Sequence, residues 1–126
     1  MNQILIIEDD PYVQRFYEHL FRFNNFDVLI AGSGQEGIRL AQTYHPKLIL
    51  LDIIMPQMDG LQVLTQLKSD PATSDSIIVM LTNIDDPATA KKAAQMGADG
   101  FVIKVAAPPE KLLEITKGYL SLSAAA

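Results

Sequence analysis

Five short apolar runs punctuate the chain: Ile4 to Ile7, Val28 to Ala31, Leu48 to Leu51, Ile77 to Leu81 and Phe101 to Ile103. They are rich in branched residues and mostly do not alternate with polar ones, which is how strands covered on both faces read. The stretches between them have helical periodicity instead. Val13, Phe16, Tyr17 and Leu20 repeat at i, i+3, i+4, i+7 spacing, as do Gly37, Leu40, Ala41 and Tyr44. A third helix would bury Val63, Leu64 and Leu67, a fourth Ala90, Ala93 and Ala94, and a fifth Leu112, Leu113, Thr116 and Leu120. Strand and helix alternate five times. Right-handed crossovers turn that order into an α/β fold, a parallel sheet with helices on both faces.

Boundary residues agree with this reading. Pro11, Pro87 and Pro109 each suit a first helical turn, where a missing N–H costs little, and Asp85 or Asp86 suits the cap of the fourth helix. Gly97 suits its C-terminal stop. At 126 residues and 48% hydrophobic, the chain is long enough for one domain with a substantial core and too short for two ordinary ones. The reading is one domain over residues 1–121, closed by a tail over 122–126 whose Ser/Ala composition is of a kind that cloning adds.

Composition narrows the partners. A net charge of -5 with scattered basic residues argues against a surface for nucleic acid or anionic lipid. No cysteine is present, which excludes disulfides and thiolate metal sites. The start has no basic n-region, and no apolar run approaches membrane-spanning length. A cytoplasmic location is expected, with neither a membrane nor a nucleic-acid partner.

The apolar runs end in chemistry. Asp52 closes the third, the acidic cluster Glu8-Asp9-Asp10 follows the first, and Thr82 and Lys104 follow the fourth and fifth. Ligands of open α/β sheets bind at the carboxyl ends of the strands, and a carboxylate at the end of a buried strand is rarely there for stability. If the first and third strands are neighbours, Glu8, Asp9 and Asp52 crowd together and raise one another's pKa unless a cation intervenes. An all-oxygen donor set of this charge suits Mg2+, with Mn2+ as a substitute. Taken singly, each residue has a plainer reading. The acidic run before Pro11 suits a solvated helix start, Asp59-Gly60 a turn, Thr82 a hydroxyl serving the backbone and Lys104 a solvated strand end. His19 and His45 have no metal-ligand spacing and read as surface or helix-end residues, and the methionines as core and turn filler.

Glu8 and Asp9, Asp52 with Met55-Pro56 and Met58-Asp59-Gly60, then Thr82 and Lys104 form a set that, in this order, resembles the receiver domain of two-component response regulators. The resemblance runs from Ile4 to about Leu120. It implies a doubly wound, flavodoxin/CheY-like (βα)5 fold with strand order 2-1-3-4-5. It also implies that Asp52 is a phosphoacceptor, that Asp9 and Asp52 bind the metal directly, that Glu8 acts through a water, and that the backbone carbonyl of Ile54 adds a ligand. Thr82 and Lys104 would receive the phosphoryl group, Asn83 beside them belongs to the same phosphate-binding and switch set, and Phe101 falls at the aromatic switch position. Its ring would turn inward as the Thr82 hydroxyl moves towards the phosphate.

The chain departs from the family pattern in a few places. Glu8 replaces the commoner Asp, and Asn83 is bulkier than the usual small residue. Val105 stands where a proline usually follows the lysine. A cis bond to a non-proline residue costs about 3 to 4 kcal/mol, so a trans bond and a different route into the fifth helix are expected. Ile54 and Ile84 would flank the phosphoryl group and hinder water, implying a long-lived phosphorylated state.

The expected function is therefore a phosphoacceptor switch. A sensor histidine kinase or histidine phosphotransfer protein supplies the phosphoryl group, and a downstream protein or a separate output domain reads the change. No enzyme activity is expected beyond assistance to its own phosphoryl transfer and autodephosphorylation. A homodimer through the edge near helices four and five is left open. Three other readings compete. A flavodoxin-like carrier needs a Ser/Thr/Gly-rich phosphate loop where this chain has Glu8-Asp9-Asp10. An aspartate-based phosphatase needs paired aspartates where Asp52 is followed by Ile54. A phosphorylation-independent interaction module fits least, because the acids, Thr82 and Lys104 are intact.

Overall fold

The computed structural model describes residues 3–125, the last three by backbone alone. The strands are β1 (Ile4–Ile7), β2 (Val28–Ala31), β3 (Leu48–Leu51), β4 (Ile77–Thr82) and β5 (Gly100–Ile103). They alternate with α1 (Pro11–Phe23), α2 (Gly34–Tyr44), α3 (Gly60–Ser69), α4 (Pro87–Gln95) and α5 (Pro109–Ala125), with a 3₁₀ turn at Lys104–Ala106 before α5. All pairings are parallel and the order is β2-β1-β3-β4-β5, as the resemblance implies. Helix α5 continues through the boundary at which the tail was expected to begin, and Ala126 lies outside the described residues.

Two apolar layers sandwich the sheet, because successive strand residues point to opposite faces. Leu5, Ile7, Ile49, Leu51, Ile78 and Met80 meet Ala41 of α2, Val63, Leu64 and Leu67 of α3 and Ala93 of α4. Ile4, Ile6, Leu48, Leu50, Val79 and Leu81 meet Tyr17 and Phe21 of α1 and Leu112 of α5. Burial on both faces holds throughout β1 and β3 and nearly throughout β4, whereas every residue of the edge strand β5 is only half-buried. An edge strand lacks a neighbour on one side, so its covering helix cannot wrap it fully.

The helix faces match expectation with corrections. In α1, Phe16 is 51% exposed and Phe21 carries the buried position instead, because Tyr17 and Phe21 are the i, i+4 pair aimed at the sheet. Tyr44 is exposed at the end of α2, and Ala94 is exposed in α4, where Ala93 alone is buried. The prolines at 11, 87 and 109 begin α1, α4 and α5, and Asp86 caps α4 through the Ala88 N–H. Gly97, with φ of 108°, occupies the left-handed conformation that ends α4, a conformation side chains resist. Among the described residues no helix is long and apolar enough to cross a membrane.

Candidate functional site

Strands β1 and β3 pair in the register Ile7↔Leu51, so the residues that follow them, Glu8 and Asp52, leave the sheet side by side. The Glu8 N–H donates to Ala31 O at 3.0 Å and the Asp52 N–H to Ile7 O at 3.1 Å, extending the ladders one residue past each strand. Both carboxylates therefore rise from backbone that the sheet fixes. Gln14 of α1 adds a clamp that sequence reasoning missed, its side-chain amide donating to Glu8 O at 2.6 Å. Its only signal was a polar residue one turn into a helix that starts beside the acids.

The structure divides the acidic run. Asp10 takes the plainer role, capping α1 through the Tyr12 N–H at 2.8 Å. Glu8 and Asp9 join Asp52 instead, and the three offer carboxylate oxygens lying within 4.8 Å of one another. Glu8 and Asp52 are buried and Asp9 is the most open of the three. The loop after Asp52 is held by α3: the Gly60 N–H donates to Ile53 O at 2.8 Å, and Asp59 and Gln62 form a reciprocal capping box. A Cβ on Gly60 would stand 2.1 Å from Asp52 O, so only glycine lets this helix approach the acid's backbone. Asp59-Gly60, expected as a turn, instead begins α3, with Asp59 as its N-cap and Gly60 as its first residue, and the close approach of Gly60 sets the position of Asp52.

Lys104 completes the cluster. Its ammonium donates to Asp52 Oδ2 at 2.9 Å and to Glu8 Oε1. The other oxygens have backbone donors: Asp52 Oδ1 accepts from the Ile53 N–H at 2.7 Å and the Ile54 N–H at 3.4 Å, and Glu8 Oε2 from the Asp10 N–H at 3.1 Å. Burial pushes the Glu8 carboxyl above its ordinary range, further than its bonds to Lys104 and the Asp10 N–H pull it down. Burial works against the Lys104 ammonium too, but bonds to Glu8 and Asp52 outweigh it and hold the amine above its usual value. Lys104 is thus a fixed cation between two acids.

Thr82 is fully buried at the end of β4, and its Oγ1 accepts from the Ile84 N–H at 3.3 Å. Glu8, Asp9, Asp52, Ile54, Thr82, Asn83 and Lys104 line a single cleft of about 310 Å³. The sequence-derived set therefore converges, with two members displaced from its centre. Phe101 lies behind the cleft, half-buried against the core opposite Met80. Asn83 is exposed, and its Oδ1 accepts from the Val105 N–H at 3.1 Å. The described peptide bonds are all trans, Lys104–Val105 included, as expected. Ile54 is 64% exposed at the cleft wall, while Ile84 is half-buried. His19 is exposed on α1, and His45 ends α2 in the left-handed conformation, its ring Nδ1 2.9 Å from Ala72 O.

The donor set fits a hard divalent cation. Three carboxylates from two neighbouring loops offer oxygen alone, and the ammonium already held between Glu8 and Asp52 shows that this cluster is stabilised by positive charge. No Ser/Thr/Gly-rich loop follows β1, so the flavodoxin-like alternative lacks its phosphate cradle.

The model of the response regulator receiver domain family matches residues 4–117. The transcriptional regulatory protein SrrA of Staphylococcus aureus is 32% identical over 114 residues, which are 90% of this chain and 46% of that protein. The chain spans less than half the length of the curated relatives it matches. A CheY-like receiver domain protein of Methanospirillum hungatei superposes with a TM-score of 0.90 at 25% identity, over 98% of this chain and 97% of that one. The BeF3-activated N-terminal receiver domain of Klebsiella pneumoniae RstA gives 0.86 at 28% identity, over 94% and 98%.

Proposed function

This chain belongs to the response regulator receiver family, and from that membership we propose that the Asp52 carboxylate accepts a phosphoryl group and that the resulting charge switches the surface around β4 and β5. The observation that carries the reading is the convergence of Glu8, Asp9 and Asp52 within 4.8 Å, with Lys104 2.9 Å from Asp52 Oδ2.

Asp52 and Asp9, with Glu8 in support and the Ile54 carbonyl as a further oxygen, would hold Mg2+, or Mn2+ in its place. When bound, the ion neutralises phosphoryl oxygens and the acids' mutual repulsion. The remaining work falls to the chain. An Asp52 oxygen forms the new P–O bond as the donor's bond to phosphorus breaks. A phosphohistidine leaves as imidazole after taking a proton, and acetyl phosphate leaves as acetate. The Lys104 ammonium, already desolvated and aimed at Asp52, passes to the incoming phosphoryl oxygens without reorganisation. The Thr82 hydroxyl, one position past the register pair Leu81↔Val102, donates to another and releases the Ile84 N–H. The loop after β4 then shifts, and the Phe101 ring follows into the space it leaves.

Receiver domains take their phosphoryl group from sensor histidine kinases or histidine phosphotransfer proteins, and the same donor class is proposed here. The readout falls to a downstream protein or an output domain. The chain assists its own phosphorylation and autodephosphorylation and turns over no other substrate. Incubation with acetyl phosphate and Mg2+, followed by intact mass, tests the reading: wild type gains one phosphoryl group and Asp52→Asn gains none. A wild-type mass that stays unchanged, or an equal gain in Asp52→Asn, refutes it.

A further inference from the structure

Both places where the signalling edge departs from the receiver pattern meet in one hydrogen bond. Val105 brings a backbone N–H that a proline would not have, and the Asn83 side chain supplies its acceptor at 3.1 Å. We propose that Asn83 is a positioning residue: its side-chain carbonyl holds the Val105 N–H and thereby fixes the turn that carries the Lys104 ammonium onto Asp52.

The local structure gives that bond its weight. Strands β4 and β5 are paired up to Thr82↔Ile103, so Asn83 and Lys104 leave the sheet together at the point where ladder bonds end. Beyond it, Lys104 opens a single 3₁₀ turn of three residues with no side-chain cap, closed by the Ala107 N–H to Lys104 O bond at 3.2 Å. Apolar packing adds little. Val105 is 82% exposed, Ala106 and Pro108 are exposed, and neither Pro108 nor Pro109 has an N–H to tie down. The segment that aims Lys104 is thus held at one end by the sheet, at the other by α5, and between them by Asn83. A one-residue shift in that turn would withdraw Nζ from Asp52 Oδ2, where it now lies at 2.9 Å.

Asn83 also lines the acid cleft, so its amide N–H₂ has an obvious competing role as a direct donor to phosphate. The two roles use opposite ends of the amide. A positioning Asn83 acts as an acceptor and is replaceable by aspartate, whereas a phosphate donor is not: aspartate would offer no hydrogen and would repel the dianion.

This inference rests on the phosphoacceptor reading, and its experiment separates the two. Amide hydrogen exchange at Val105 is measured by NMR without Mg2+ or donor, and the rate of acetyl-phosphate labelling with Mg2+, in wild type, Asn83→Ala and Asn83→Asp. In Asn83→Ala, Val105 exchange rises about tenfold and labelling slows by a similar factor, as expected for one lost hydrogen bond. Asn83→Asp retains the acceptor, so it keeps Val105 protected and labels faster than Asn83→Ala. Unchanged Val105 exchange in Asn83→Ala overturns the proposal. So does Asn83→Asp labelling more slowly than Asn83→Ala, which would assign the direct donor role. A wild type that exchanges as described yet never gains a phosphoryl group overturns the underlying reading, and the positioning role with it. Wild-type labelling with full activity in Asn83→Ala overturns the positioning role alone.

Discussion

Lys104 Nζ lies 2.9 Å from Asp52 Oδ2 and also donates to Glu8 Oε1, so a residue from the end of β5 neutralises acids carried by β1 and β3. The side chains of all three are largely withdrawn from solvent. Such a pair contributes little net stability over an apolar replacement, yet removing one partner leaves charge unpaired in a poor solvent.

Lys104→Met should therefore lower stability by about 2 to 4 kcal/mol in the presence of a chelator. Added Mg2+ should recover more in this variant than in wild type, by about 1 kcal/mol or more, because the ion and the ammonium serve the same acids. Urea unfolding with and without Mg2+ measures both quantities. An equal Mg2+ increment in the two proteins would show that metal and ammonium act at separate places.

Asp9 presents the converse case. It joins two acids whose oxygens lie within 4.8 Å of its own, and no hydrogen bond or ion pair to Lys104 relieves it. Asp9→Asn should raise stability by about 1 kcal/mol in chelator, through removal of like-charge repulsion. The same change should weaken Mg2+ binding by more than about tenfold, since it deletes a charged oxygen from a small ligand set. Unfolding curves and titration calorimetry on one preparation give both numbers, and a loss of stability would mean that repulsion is not what the fold tolerates here.

Nearly every strand boundary was legible because it rests on local signals, unalternating branched runs and proline at helix starts, whereas the sheet order came from the family resemblance and from no local signal. Asp52, Glu8, Asp9, Thr82 and Lys104 were legible because each ends or follows such a run, and parallel strands bring those ends to one edge. What escaped was whatever depends on the exact rotation or reach of a side chain. Phe16 and Phe21 are both apolar at plausible spacing, and only the seating of α1 on β1 and β3 decides which one is buried. The Asn83–Val105 bond spans 22 positions between two loops, and no periodicity connects loops.

Burial holds the Glu8 carboxyl above its ordinary 4.5, which fixes the sign of a pH effect. Below the raised value Glu8 is protonated and contributes no charge to a metal. Mg2+ affinity should therefore be full well above that value and fall as pH drops through it, starting at a higher pH than an unperturbed glutamate would allow. The limiting slope is about tenfold per pH unit for one linked proton. The folded state also holds that proton more tightly than the unfolded chain, so this group's contribution to stability declines as pH rises from 4.5 through the raised value. Calorimetric Mg2+ titrations between about pH 5 and pH 8 test the linkage, with Glu8→Gln as the variant in which this proton is absent. A wild-type profile no steeper than that of Glu8→Gln would contradict it.

The lifetime of the phosphorylated state follows from what stands at the cleft wall. Ile54 is 64% exposed there, two residues past Asp52, the proposed acceptor, and Ile84 follows Thr82 by the same interval. Neither side chain can orient a water, and Ile54 presents branched apolar surface in the cleft that Asp52 lines. The Ile54 N–H donates to Asp52 Oδ1 at 3.4 Å, which ties the backbone of this exposed residue to Asp52. Replacing both residues with polar ones, as Ile54→Asn with Ile84→Glu, should speed autodephosphorylation by about tenfold or more, the range expected when a positioned side chain assists proton transfer from water. Ile54 is open, but Ile84 packs partly against the core, so urea unfolding of the double variant accompanies the kinetic comparison. Decay of the phosphorylated mass after removal of acetyl phosphate measures the lifetime. Equal decay in the two proteins would mean that water reaches phosphorus by a path these side chains do not guard.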